Sequence, residues 1–157
     1  MNAQTLEPYL KKHPFFKGLS SDYLAILVGC VKNVSVEALQ PIFQTGEPAD
    51  HFFLIRQGAV AIETSSLEAG AVTIQTLGNG DVLGWSWLFE PYRWNFDARA
   101  LMQTRLFSLD AKCLRDKCDR DPAFGYDLVK RFSRVMVDRL QATRLQLLDI
   151  YALPTGE

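Results

Sequence analysis

Apolar positions along this chain change their spacing twice, and the two changes divide it into three stretches. At the start the spacing is helical. Leu6, Tyr9 and Leu10 share one face before His13-Pro14, where proline disfavours helix at the residue before it. Phe15-Phe16-Lys17-Gly18-Leu19 reads as an apolar docking segment, and Ser20 or Ser21 as the cap of a second helix over about Asp22 to Val31, with Leu24, Leu27 and Val28 on its inner face. From Val34 the period falls to two. Val34 and Val36 alternate with polar neighbours, Pro41-Ile42-Phe43 follows, and Gln44-Thr45-Gly46 turns the chain. Phe52 to Glu63 reads as two strands joined in a hairpin at Gln57-Gly58, and Thr64 to Gly70 as a turn-rich connection. Val72 to Leu77, Ala98 to Met102 and Thr104 to Leu109 supply further strands. Asp110 is placed to cap a short helix carrying Leu114, and Asp121-Pro122 to start a long one that runs to about Tyr151.

This order predicts an α+β, mainly β fold: a jelly-roll barrel (double-stranded β-helix, cupin-like) with N-terminal helices and a long C-terminal helix. One domain, 1–157, is expected, with N-terminal helices over 1–33, the β-roll over 34–109 and C-terminal helices over 110–152. A helix of roughly 28 residues is about 40 Å long, more than a small barrel covers. Its stripe of Leu128, Phe132, Val135, Met136 and Leu140, extended by Leu145, Leu147, Leu148 and Ile150, is therefore assigned to a homodimer seam. Folding back on its own barrel is the alternative.

Asp81 to Asp97 departs from both periods. All three tryptophans, Trp85, Trp87 and Trp94, fall within it, together with Phe89, Tyr92 and Phe96. Connections between strands are ordinarily polar, so this one is built to be packed. It either plugs the end of the barrel or lines a ligand pocket; Gly84 would allow another group to approach closely.

Composition narrows the functional classes. With 48% hydrophobic and 22% charged residues and a net charge of −1, nothing points to bulk attraction for nucleic acid or an anionic membrane. No apolar run reaches membrane-spanning length and no leader is evident, so a cytoplasmic protein is expected. Cys30, Cys113 and Cys118 lack the spacing of a metal site. A Cys113–Cys118 disulfide is not expected at their helical spacing, and both read as buried or idle thiols in a reduced compartment. His13, tied to Pro14, is placed outside the roll, and His51 at a strand start. With no His-x-His and no histidine near Ser86, neither a metal site nor a catalytic residue is expected, and the chain reads as not an enzyme.

Phe15-Phe16-Lys17-Gly18-Leu19, Gly46 and Asp50 before Phe53-Leu54-Ile55, Gly58-Ala59-Val60, Gly80-Asp81-Val82-Leu83-Gly84 and Phe107-Ser108-Leu109 together resemble the cyclic-nucleotide-binding domain of the Crp/Fnr regulators. The resemblance covers nearly the whole chain. It implies a phosphate-binding cassette in which a glutamate after the second glycine holds the ribose and an arginine pairs the cyclic phosphate. Here the glutamate position is Trp85. The arginine position, counted back from Ala98-Arg99-Ala100, is Trp94, with Arg93 beside it. Losing the partner of a buried phosphate costs several kcal/mol, so cAMP or cGMP is not expected to bind in the usual way and no cofactor is expected; an ordinary cAMP-binding signal-transduction protein is the alternative.

The candidate ligand-binding residues are Gly84, Trp85, Ser86, Trp87, Arg93 and Trp94. A one-residue shift would bring Arg93 inward. The cassette could take another planar ligand stacked on the indoles, hold none, or meet a protein partner. Crp/Fnr regulators continue into a helix-turn-helix, and this chain reads to Glu157 without one. Arg131, Arg134, Arg139 and Arg144 mixed with Asp127 and Asp138 read as a solvated face. Direct DNA binding is therefore not expected. Output is expected through the dimer or a partner, with cassette occupancy repositioning the long helix.

Overall fold

The computed structural model describes residues 3–151. Helix α1 (Ala3–Lys12) leads into a 3₁₀ turn over Pro14–Phe16, and α2 (Ser21–Val28) follows, with Ser20 Oγ accepting from Tyr23 N at its start. Strand β1 (Val31–Val36) then begins three residues earlier than its alternation suggests. The reason lies far along the chain: Val31 pairs with Leu109 and Cys30 O accepts from Asp110 N, so the partner strand sets the boundary.

Strands β2 (Pro41–Phe43), β3 (His51–Gln57), β4 (Val60–Ser66), β5 (Gly70–Leu77), β6 (Asp97–Ala100) and β7 (Thr104–Asp110) complete two antiparallel sheets, ordered β1-β7-β3 and β2-β6-β4-β5. The hairpin expected at Gln57-Gly58 is not formed. β3 pairs with β7 while β4 pairs with β5 and β6, so Gly58 is a corner where the chain crosses between sheets. Its φ of +134° is closed to other residues, and a Cβ there would lie 2.4 Å from Thr104 Oγ1. The stretch expected to be a loose connection, Thr64 to Gly70, carries the true hairpin, with Ser66 opposite Gly70. Polar residues serve there because every residue of β5 except Gln75 and Leu77 is exposed.

Helix α3 (Ala111–Arg120) and α4 (Pro122–Tyr151) start where their caps predict. Asp110 accepts from Cys113 N, and Asp121 Oδ1 from Phe124 N. Along α4 the apolar stripe divides. Leu128 and Phe132 are buried in the chain's own core, which removes them from the expected dimer seam, and Val135 and Met136 pack partly against that core. Leu140, Leu147 and the apolar residues near them stay exposed. Phe132 contacts Phe15, Phe52 and Trp87 with ring centroids 4.8–5.4 Å apart, joining four segments in one aromatic cluster. Arg131 reinforces the junction by donating to Phe15 O and Lys17 O.

Two further expectations are corrected. Cys30 and Cys113 form a disulfide, Cα atoms 5.9 Å apart, because the β1–β7 pairing sets the end of α2 beside the first turn of α3. The reading of Cys113 as an idle thiol fails, and the inferred reduced compartment loses its support. Cys118 alone remains a thiol, raised to about 11 by burial, then by Asp119 and Asp121. His13 lies against the roll rather than outside it: buried, it donates from Nε2 to Ile55 O in β3 at 3.0 Å. No helix among the described residues is long and apolar enough to cross a membrane, and no cluster of His, Cys, Asp or Glu among them could hold a metal.

Candidate functional site

The segment between β5 and β6 opens on the turn Gly78 to Asp81, where Asp81 Oδ2 accepts from Gly78 N. Val82 and Leu83 then enter the core. At Gly84 an added Cβ would meet Trp94 Cζ3 and Phe96 Cζ, both at 3.0 Å. The glycine therefore admits two aromatic rings, a close approach inside the protein itself.

Three indoles that are adjacent in sequence part company in space. Trp87, in the 3₁₀ turn Ser86–Leu88, is fully buried in the aromatic cluster, and its Nε1–H has no hydrogen-bond partner among the described residues. Trp94 is also buried. It stacks on Phe43 at a centroid distance of 3.7 Å, with Phe53 and Phe96 near it, and fills the interior of the roll at this end. Trp85 is only half-buried, and the Arg139 guanidinium of α4 lies 5.3 Å above its ring. Ser86, also half-buried, merely opens the turn.

Backbone pairing decides where Arg93 goes. Residues 92–94 run against the loop before β3, with Ala49 N donating to Tyr92 O, Trp94 N to Glu47 O and Gly46 N to Trp94 O. Successive side chains of an extended segment point to opposite sides, so an inward Trp94 requires an outward Arg93. Arg93 is exposed and donates to Gly46 O at 2.7 Å. A one-residue slip would exchange the two, at the cost of burying a guanidinium and exposing an indole. The one-residue shift that would bring Arg93 inward is not found.

What stays accessible lies outside the roll, between α4 and β5. A cleft of about 680 Å³ is floored by Phe15, Leu77, Val82 and Val135 and edged by Gln75, Asp81, Arg134 and Arg139. Arg131 in its wall is paired with Asp127, whereas Arg134 and Arg139 form no ion pair among the described residues. Burial lowers Arg139 to about 10 and Asp81 opposes that shift, so it remains a cation near neutrality. Arg139 was missed as a surface charge. Its signal was available, since Leu128, Phe132, Val135 and Arg139 are spaced four, three and four apart, the helical face that packs on the roll.

A second arginine holds the segment from the other side. Arg115 of α3 donates to Trp87 O and lies 4.1 Å over the Tyr92 ring. Both C-terminal helices thus grip the aromatic segment through a guanidinium.

These elements together make a two-sheet roll with a Gly-bounded segment held by the helices that follow it. A match to the cyclic nucleotide-binding domain family covers residues 33–121, more than half the chain, and the protein belongs to that family. The chain is 24% identical over 145 residues to a CRP-like cAMP-activated global transcriptional regulator of Mycobacterium tuberculosis, spanning 92% of this chain and 63% of that regulator. Among solved structures, a putative cyclic nucleotide-binding protein from Geobacter metallireducens matches with TM-score 0.77 and 25% identity over 85% of this chain and 97% of the other. A cyclic nucleotide-binding domain from Methylobacillus flagellatus matches with TM-score 0.78 and 18% identity over 99% and 85%, a likeness of fold.

Proposed function

We propose that this protein is a cytoplasmic regulatory module of the cyclic nucleotide-binding family whose cassette does not grip a cyclic nucleotide through the family's ribose and phosphate contacts. The observation that carries this reading is the buried Trp94–Phe43 stack with Arg93 turned out to Gly46. The position expected for the phosphate partner holds an indole, and the neighbouring guanidinium is engaged elsewhere.

Signal transfer in this reading runs from the aromatic segment to the helices. Trp85 touches Arg139, and Trp87 touches Phe132 and Arg115. A change in the segment would therefore be felt along α4, whose exposed apolar end is the proposed seam of a homodimer. Any ligand favouring one arrangement must bind the two with different affinity. The Trp85–Arg139 contact beside the cleft suits a small anion with an apolar body. The net charge of −1 and the mixed charges of α4 favour protein output over direct contact with nucleic acid.

Calorimetric titration with cAMP and cGMP tests the reading. Absence of saturable micromolar binding is expected. Micromolar binding would return the usual messenger to the cassette and overturn it.

A further inference from the structure

We propose that Cys30–Cys113 is a reversible thiol–disulfide site through which low-molecular-weight thiols act on the aromatic segment. The bond joins the residue between α2 and β1 to the first turn of α3. It borders an open cleft of about 380 Å³ lined also by Lys32, Asp110, Lys112 and Asp116. The two residues are not equally exposed, since Cys30 is 5% exposed while Cys113 is half-buried. The attack is therefore placed at Cys113.

The exchange balances. The incoming thiolate attacks Cys113 Sγ, a mixed disulfide forms there, and the Cys30 Sγ–Cys113 Sγ electron pair leaves on Cys30, which takes a proton. A second thiolate then attacks the mixed disulfide at the small-molecule sulfur. Cys113 leaves as a thiolate and takes a proton from solvent. The protein disulfide has been reduced to two thiols, and two small thiols have been oxidised to one disulfide.

The consequence for function lies two residues on, at Arg115. Its guanidinium holds Trp87 O and covers Tyr92, so the first turn of α3 and the aromatic segment are mechanically joined. The disulfide pins that turn to the start of β1. Releasing it frees α3 to shift and loosens the clamp over Trp87. Cys118 is a built-in control, because burial and neighbouring carboxylates raise its thiol to about 11 and keep it protonated.

The test equilibrates the full chain in glutathione buffers of increasing reduction, with alkylation and mass measurement for the thiol count and tryptophan emission for the clamp. In oxidised buffer only Cys118 is expected to remain a thiol. The disulfide should open reversibly within the buffer range, with a red shift in emission that follows the thiol count. Arg115→Met should keep the redox midpoint and lose that linked shift; Cys118→Ser should change neither. A disulfide that persists in fully reduced glutathione, one that never closes in the oxidised form, or one that opens without any change in emission would each overturn the proposal.

Discussion

The indole of Trp94 lies on the ring of Phe43 with planes 5° from parallel and centroids 3.7 Å apart. Phe43 ends β2, and Trp94 comes from the aromatic segment, so the stack closes one end of the roll with groups from both sides. Trp94→Ala removes a fully packed ring from this contact and should cost about 3–5 kcal/mol, read from the urea midpoint at unchanged slope. A loss under 1 kcal/mol would mean that the ring does not fill the roll, and would weaken the case against an interior ligand.

Gly58 offers a sharper test of the corner between the sheets. A methyl group there meets both Thr104 Oγ1 at 2.4 Å and the Thr104 backbone Cα at 2.8 Å, so side-chain rotation cannot relieve the clash. Gly58→Ala is expected to destabilise by about 3 kcal/mol, and Thr104→Ser should not rescue it. Measured thermal unfolding of the two single variants and the double variant decides this.

Local signals were legible in the sequence and distant ones were not. Asp110, Asp121 and Pro122 announced α3 and α4 because a cap is made with a backbone amide three residues away. The Gln57-Gly58 turn misled because its glycine signals positive φ but carries no information about which ladder the next strand joins. β3 found its partner in β7, roughly fifty residues on. The β1–β7 pairing, of similarly long range, created the Cys30–Cys113 bond, invisible when only nearby cysteines are compared. At the site, Trp94 could be counted in the sequence to the position where the resemblance implies a cassette arginine. The outward turn of Arg93 required the pairing of residues 92–94 with the loop before β3.

His13 makes stability depend on pH. Nδ1 accepts from Phe15 N at 3.2 Å and Nε2 donates to Ile55 O at 3.0 Å, so the neutral Nε2–H form satisfies both bonds. Burial is the main cause that lowers its pKa from the ordinary 6.5, against weaker upward pulls from the Ile55 carbonyl and Asp81. A proton on Nδ1 would displace the Phe15 amide. Because the unfolded chain takes up that proton first, the His13 contribution is complete above the unfolded pKa. It is lost as pH falls through 6.5 toward the lower folded value. Urea unfolding from pH 8 to pH 5 should show this loss. His13→Asn, which can still accept from Phe15 N, should be less stable at pH 8 but with a shallower fall; an unchanged fall would assign the effect to other groups.

The two halves of α4 call for opposite responses to the same substitution. Phe132 is fully buried among Phe15, Phe52 and Trp87, so Phe132→Asp places a carboxylate in the core and should unfold the chain. Leu140 and Leu147 are 52% and 49% exposed, and Leu145, Leu148 and Ile150 lie exposed beside them. Aspartate at Leu140 and Leu147 meets solvent within a single chain and leaves its fold intact, whereas in a homodimer it sets carboxylates against an apolar seam. Light scattering should therefore give twice the chain mass for the wild type and the chain mass for the Leu140→Asp, Leu147→Asp double variant, with circular dichroism unchanged. The wild-type melting temperature should also rise with protein concentration, and the variant's should not. Met136→Asp is a poorer probe, because Met136 also packs on its own roll and its loss mixes folding with association. A wild-type chain that scatters as a monomer at every concentration would remove the homodimer from the proposed mechanism and leave the end of α4 to another partner.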